Sequence, residues 1–200
     1  MSGWDLDQAS DELRGDREVV LAAIGEDPNA LEYASEELRA DKEVDLAAIK
    51  DSGRALKYAS EELRADREVV LAAVQEYGSA LQYASEELRG DKEVVMTAVK
   101  DSGLAFEYAS YELRGDREVA LAAVTDWGDA LQWIYAAKEL SADKEVVLRA
   151  VANDGAALKY ADYELRGDKE VVLEAVKQNE TAFDYASEEL KNDPEFMKEV

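Results

Sequence analysis

Residues Asp66 to Gly90 read Asp-Arg-Glu-Val-Val-Leu-Ala-Ala-Val-Gln-Glu-Tyr-Gly-Ser-Ala-Leu-Gln-Tyr-Ala-Ser-Glu-Glu-Leu-Arg-Gly, and close copies of that phrase fill the chain. Its leucine, Leu88, has counterparts at Leu13, Leu38, Leu63, Leu113, Leu140, Leu165 and Leu190. The step is 25 residues everywhere except between Leu113 and Leu140, where it is 27. A fixed period of roughly 20–50 residues marks a tandem array, in which one unit cannot bury its apolar face until a neighbour stacks on it. Full units run 16–40, 41–65, 66–90, 91–115, 116–142, 143–167 and 168–192, with half units at 4–15 and 193–200. The period predicts an all-α solenoid of helix-turn-helix repeats forming a single repeat domain over 1–200.

Each unit opens on an aspartate, from Asp16 through Asp168, followed by Lys or Arg and then by an unchanging Glu. Aspartate is a good N-cap, and a carboxylate in the first turn complements the helix dipole. In the last half unit Pro194 follows the cap, a position where its missing N–H costs nothing. Val69, Val70, Leu71, Ala73 and Val74 then cover an arc of about 200°, too broad for a helix buried on one side. This first helix should lie between neighbours, and the constancy of the Ala73 slot points to a close helix approach. Gly53, Gly78, Gly103, Gly128 and Gly155 follow, read as turn residues supplying positive φ. Asp27-Pro28 and Glu180 are other solutions of the same turn. A second, amphipathic helix is expected to run unbroken from Ala80 to Arg89 and to stop on a left-handed Gly or Asn. Both helices are too short to persist alone.

Composition narrows function. Acids outnumber bases 47 to 23, a formal charge of −24 that weighs against nucleic acid and anionic membranes as partners. It favours a basic or mixed protein surface, or cations. Histidine and cysteine are both absent, which removes Ser-His-Asp and Cys-His chemistry, thiolate and imidazole metal sites, and disulfides. Acids that recur in every unit do not resemble a singular carboxylate pair, and there is no Asp-x-Asp-x-Asp-Gly calcium loop. The expectation is a protein that is not an enzyme and carries no cofactor and no metal. Met1–Gln8 has neither the basic start nor the apolar core of a signal peptide, and no apolar run approaches the roughly 20 residues of a membrane span. The chain is therefore expected to be soluble, without direct membrane insertion.

The consensus Leu-Arg-x-Asp-Lys/Arg-Glu-Val-Val-Leu-Ala-Ala-Val-x-x-x-Gly-x-Ala-Leu-x-Tyr-Ala-Ser-Glu-Glu-Leu resembles the repeats of the domain of unknown function DUF4116 over about residues 5–200. The resemblance implies a tandem helical array and brings no activity, substrate or cofactor. Pro28, Asp45, Glu180 and the two extra residues near Trp133 depart from it.

The candidate surfaces are what the repeat does not demand. A tyrosine column, Tyr33, Tyr58, Tyr83, Tyr108, Tyr135, Tyr160 and Tyr185, flanks the apolar stripe of the second helix, and is read first as packing between units with the hydroxyl near water, the alternative being an aromatic ladder on one face of the solenoid. Extra aromatics and bulk at Trp127, Trp133, Ile134, Tyr135, Tyr111 and Tyr163 are the candidate partner-binding residues, since Trp and Tyr are enriched at interaction hot spots. The two added residues are expected to lengthen the start of the second helix or form a bulge. Glu37, Glu62, Glu87, Glu112, Glu139, Glu164 and Glu189, with Arg39, Arg64, Arg89, Arg114 and Arg166, are expected to form a charge ladder between units. Asp45, where other units place Val or Ala, suggests an exposed or partner-facing place. These features point to a scaffold or adaptor that binds another protein. The alternatives are an acidic binder of cations or polycations such as a nucleic-acid mimic, and a consensus-like or engineered array without a partner.

Overall fold

The computed structural model describes residues 6–136 and 138–200, the side chains of Tyr135, Ala136 and Lys138 excepted. It is an all-α repeat solenoid, with no strand among the described residues. The chain divides into two compact units, Met1–Asp101 and Ser102–Val200.

The repeat has three helical pieces where two were expected. A ten-residue α-helix comes first: Arg17–Glu26, Lys42–Asp51, Arg67–Glu76 and Lys92–Asp101 in the first unit, Arg117–Asp126, Lys144–Asn153 and Lys169–Gln178 in the second. A 3-10 segment follows, as in Gly53–Tyr58, and then a single α-turn, as in Glu61–Arg64. The expected second helix is broken at Ala59-Ser60, where Ala59 is extended at φ −60° and ψ 154°. The break satisfies two groups at once. The Ser60 hydroxyl accepts from the Leu63 N–H and caps the α-turn, while the Ser60 N–H donates to the Arg39 carbonyl of the preceding repeat at 2.8 Å. Ser35 to Arg14, Ser85 to Arg64 and Ser187 to Arg166 repeat that backbone link. An unbroken helix would have kept this N–H for itself.

The long helices are sandwiched, as their broad apolar arc requires. The third residue after the cap faces the preceding helix: Val19 on the first is half-buried, whereas Val44, Val69 and Val94 are fully buried. The eighth faces the following helix: Val124 and Val151 are fully buried, and Val176 on the last is half-buried. Each such valine taken from water contributes about 1.5–3 kcal/mol, so neighbour stacking holds the array together.

Two expectations about backbone are corrected. The residues ending the α-turns are not left-handed: Gly15, Ala65, Gly90 and Gly115 have φ between −91° and −103°. Alanine and glycine therefore alternate freely in that slot. Gly53, Gly103, Gly128 and Gly155 have no positive φ either. They are glycines because the next repeat comes too close: a Cβ on Gly53 would lie 2.3 Å from the Ala73 carbonyl oxygen, and one on Gly155 would lie 2.3 Å from that of Ala175. The glycine of the turn thus meets the backbone carbonyl of the long helix's constant alanine, a contact that constrains the glycine and not the alanine side chain.

The two extra residues lengthen the 3-10 segment to nine residues, Gly128–Ala136, where its equivalents have six. The start is unchanged, so the added length lies at its end. Leu131 keeps the buried leucine position and Trp133 takes the position of the column tyrosine.

Candidate interaction surfaces

The capping aspartates do more than cap. Asp66 Oδ1 accepts from the N–H groups of Glu68 and Val69, while Oδ2 receives Lys42 of the preceding repeat at 2.8 Å. Lys42 also reaches Glu68 at 2.8 Å. The same fork joins Arg67 to Asp91 at 3.0 Å and to Glu93 at 2.5 Å, and Lys144 to Asp168 at 2.7 Å and to Glu170 at 2.8 Å. Arg17 reaches Asp41 and Glu43 in this way, and Arg117 reaches Asp143 and Glu145. The Lys42 ammonium beside it holds the Asp66 carboxyl below the usual range, and Arg67 does the same to Asp91. The inter-repeat ladder is thus the Asp-Lys/Arg-Glu tripeptide. Its signal was in the sequence: the cation and its two acids recur at the repeat period plus or minus one residue.

The column expected to be that ladder works inside the repeat. Glu37, Glu62 and Glu112 accept from their own backbone N–H and bond to Ser35, Ser60 and Ser110, which lowers their carboxyls. Glu87, Glu139 and Glu164 are exposed. Arg64 pairs with Glu61 at 4.0 Å and Arg89 with Glu86 at 3.8 Å, in the same α-turn. Arg14, at the equivalent position, donates from Nε to the Leu6 carbonyl at 3.2 Å and from Nη2 to that of Asp7 at 2.7 Å, an Nε bond that Arg39, Arg64, Arg89, Arg114 and Arg166 do not repeat. Lys191 donates likewise to the Asp184 carbonyl at 2.8 Å. The Nε atoms of Arg39, Arg64, Arg89, Arg114 and Arg166 are buried, so these stems pack against the repeat. Glu189 is the member that bridges repeats, accepting from the Tyr163 hydroxyl.

The candidate aromatics fall in different places. Tyr111 and Tyr163 are 60% and 53% exposed, at the first residue of the short turn. That slot holds Glu36, Glu61 and Glu86 in the first unit. The Arg166 guanidinium lies 5.7 Å from the centre of the Tyr163 ring. Trp127 ends the helix Arg117–Asp126 and is half-buried, in a slot filled by Asp27, Ser52, Tyr77, Ser102, Asp154 or Asn179 elsewhere. Its Cβ lies 2.9 Å from where a Cβ on Gly103 would sit, and Leu104 beside that glycine is 48% exposed. Trp133 is half-buried, with Arg114 at 5.9 Å from its ring. Ile134 is fully buried and leaves the list of surface candidates, because it occupies the core position of Ala84 in other repeats. The Tyr135 side chain lies outside the described residues. Asp45 is likewise corrected: it is fully buried, not exposed.

In the column, Tyr58 lies under Lys57, with Nζ 4.3 Å from the ring centre, and Tyr160 under Lys159 at 4.6 Å. Tyr33 and Tyr185 are 40% and 37% exposed, and Tyr83 is half-buried. Tyr108 is half-buried as well. The short turns of the first unit carry Asp11, Glu12, Glu36, Glu37, Glu61, Glu62, Glu86 and Glu87, all exposed. An open groove of about 560 Å³ between two of them is lined by Glu36, Arg39, Ser60, Glu61, Glu62 and Arg64. In the second unit a shallow groove of about 720 Å³ is lined by Leu148 and Ala152 together with Lys144, Arg149, Glu170 and Glu174. Among the described residues no group of three or more acids is placed to hold a metal ion, and no helix is long and apolar enough to cross a membrane.

This repeat matches a known family along nearly its whole length. The family described as domain of unknown function DUF4116 is matched over residues 1–39, 41–89, 91–141, 133–166, 143–191 and 168–200. The chain belongs to the DUF4116 family. The matches 41–89, 91–141 and 143–191 each start on a capping aspartate and span two of the repeats described above, so one DUF4116 domain corresponds to a pair of 25-residue repeats. No curated protein and no solved structure is similar to the chain.

Proposed function

We propose that the protein is a non-catalytic scaffold or adaptor that binds another protein of basic or mixed surface, with its specific contacts in the second unit. The observation that carries this is the exchange of one repeated slot. Where the first unit places Glu36, Glu61 and Glu86, the second keeps glutamate at Glu188 but places tyrosine at Tyr111 and Tyr163, both more than half exposed. The repeat tolerates glutamate there, so its packing does not require the tyrosines. Trp127, with Leu104 beside it, adds a half-buried aromatic in a slot that holds Tyr77 in the first unit. Exposed aromatics among carboxylates suit a partner that offers lysine or arginine beside apolar surface. Nucleic acid and membrane insertion are not part of this proposal, since the charge of −24 opposes polyanions.

Capture from the native source with the full chain as bait, at low and at physiological salt, tests it. The expected result is a discrete partner kept at physiological salt and lost when Tyr111→Glu and Tyr163→Glu are combined, with circular dichroism unchanged and melting lowered only by the loss of the Tyr163–Glu189 bridge. Retention by the double variant would move the contact elsewhere. A second reading, a polycation binder, is favoured by the exposed acids along the short turns of the first unit. It requires that only basic proteins are captured, that salt releases them, and that the tyrosine changes are without effect.

A further inference from the structure

Asp45 is the chain's odd residue. It stands fourth after its cap, a position filled by Val20, Val70, Val95, Ala120, Val147 and Val172 in the other long helices, all of them fully buried. Asp45 is as buried as they are, at 0% exposure, and neither carboxylate oxygen has a hydrogen-bond partner. A neutral carboxyl with unmet bonds is tolerable in such a place, but an ionised one is far costlier.

No neighbouring charge relieves it. On its own helix, Asp41 is near enough to act on it and is of the same sign, with Oδ1 already committed to the N–H groups of Glu43 and Val44. From the helix before it, Arg17 is taken by Asp41 and Glu43. From the helix after it, Arg67 is taken by Asp91 and Glu93, and Glu68 by Lys42. Among the groups on the adjoining 3-10 segments, Lys57 lies over Tyr58, close to Glu32, and Arg54 bonds to Tyr77. On the short turn before it, Glu37 is held by Ser35, Glu36 is exposed, and the Arg39 Nε is buried without a hydrogen bond. Desolvation, aided by Asp41, pushes the Asp45 carboxyl up to about 7.

We propose that Asp45 makes the repeat 41–65 a proton-responsive joint of the first unit, closed while its buried carboxyl is neutral and loosened when that carboxyl ionises. Between the ordinary carboxylate range and neutrality, the opened form gives up a proton that the closed form keeps. Stability conferred by the neutral group is therefore present at mildly acid pH and is lost as pH rises, by up to about tenfold in the opening equilibrium per pH unit, levelling off near neutrality.

Hydrogen exchange of the full chain between pH 4.5 and 8, corrected for the intrinsic exchange rate, reads this directly. Amides of Lys42–Asp51 should lose protection as pH rises to about 7. Asp45→Val, which restores the residue of the other repeats, should remove that loss and raise protection at pH 8. Asp45→Asn, neutral at every pH, should flatten the profile even if it lowers protection throughout. Amides of Lys144–Asn153 should follow one profile in all three proteins. A profile for Lys42–Asp51 that is the same with and without Asp45, or a carboxyl resonance of Asp45 titrating near 4 in the folded protein, overturns the proposal.

Discussion

The Cβ that Gly53 lacks would lie 2.3 Å from the Ala73 carbonyl oxygen and 3.0 Å from the Tyr77 Cβ. Both obstacles are backbone or its first side-chain atom, so neither swings away. Gly53→Ala should therefore destabilise by about 1–3 kcal/mol through overpacking, measured by urea unfolding of the full chain. Gly25 is the internal control. It lies inside the helix Arg17–Glu26, is exposed, and has nothing within 4 Å of where a Cβ would stand. Gly25→Ala should stabilise by about 0.5–1 kcal/mol, the helix penalty of glycine. Equal and small effects at the two sites would remove close approach as the reason for the turn glycines. One chain thus holds glycine for two different reasons, and its sequence shows only that a glycine recurs. Periodicity exposes a slot that seldom changes; it does not say whether the constraint is a dihedral angle or a neighbour in the next repeat. The substitution Glu180, in the last repeat, and Pro28, which follows its own cap at Asp27, were the visible hints that a left-handed conformation was not required.

At the scale of the element, the aspartate cap carries two separable loads on two oxygens. Asp66→Ala should lose the cap, about 1 kcal/mol, together with the fork to Lys42. Asp66→Asn keeps an oxygen for the N–H groups of Glu68 and Val69 and loses only the ionic contact. The asparagine variant should lie between wild type and alanine at low salt and converge on wild type in 1 M salt, where the Debye length is about 3 Å. Convergence of the asparagine variant on the alanine variant instead would mean that the cap contributes nothing. The pH dependence carries a definite sign. The Asp66 carboxyl is lowered in the fold, so its contribution is present above the unfolded value of 3.8 and is lost as pH falls through the lower folded value. The first helix, its cap and its sandwiched position were legible from the Asp-x-Glu start and the wide apolar arc, because these are local signals. The split of the second helix was not. Tyr-Ala-Ser-Glu-Glu-Leu suits a continuous helix just as well as a broken one, and what decides is the Arg39 carbonyl of the preceding repeat, waiting for the Ser60 N–H. The candidate surface was legible in part, since Tyr111 and Tyr163 were found by their departure from the repeat. The same criterion wrongly drew in Ile134, because departure from a pattern does not distinguish a new surface residue from a new core residue.

At the scale of the molecule, two electrostatic effects of opposite sign meet. The ladder attracts over contact distances, 2.6 Å between Lys169 and Asp193 and 3.0 Å between Arg67 and Asp91. The net charge of −24 repels over tens of ångströms, the exposed acids of the short turns among its sources. Salt separates them by range. Raising ionic strength from 0.01 to 0.15 M shortens the Debye length from about 30 to about 8 Å, which removes most of the long-range repulsion and leaves ion contacts under 3 Å largely intact. The melting temperature should therefore rise over that interval, by about 2–4 °C for each kcal/mol recovered in a chain of this size. Beyond about 0.5 M the gain should end, as screening reaches the contacts themselves. Calorimetry across a salt series checks both limbs. A melting temperature that falls from the first addition of salt would mean that the ladder outweighs the repulsion, and that the array is held by charge between repeats as well as by the valines buried there.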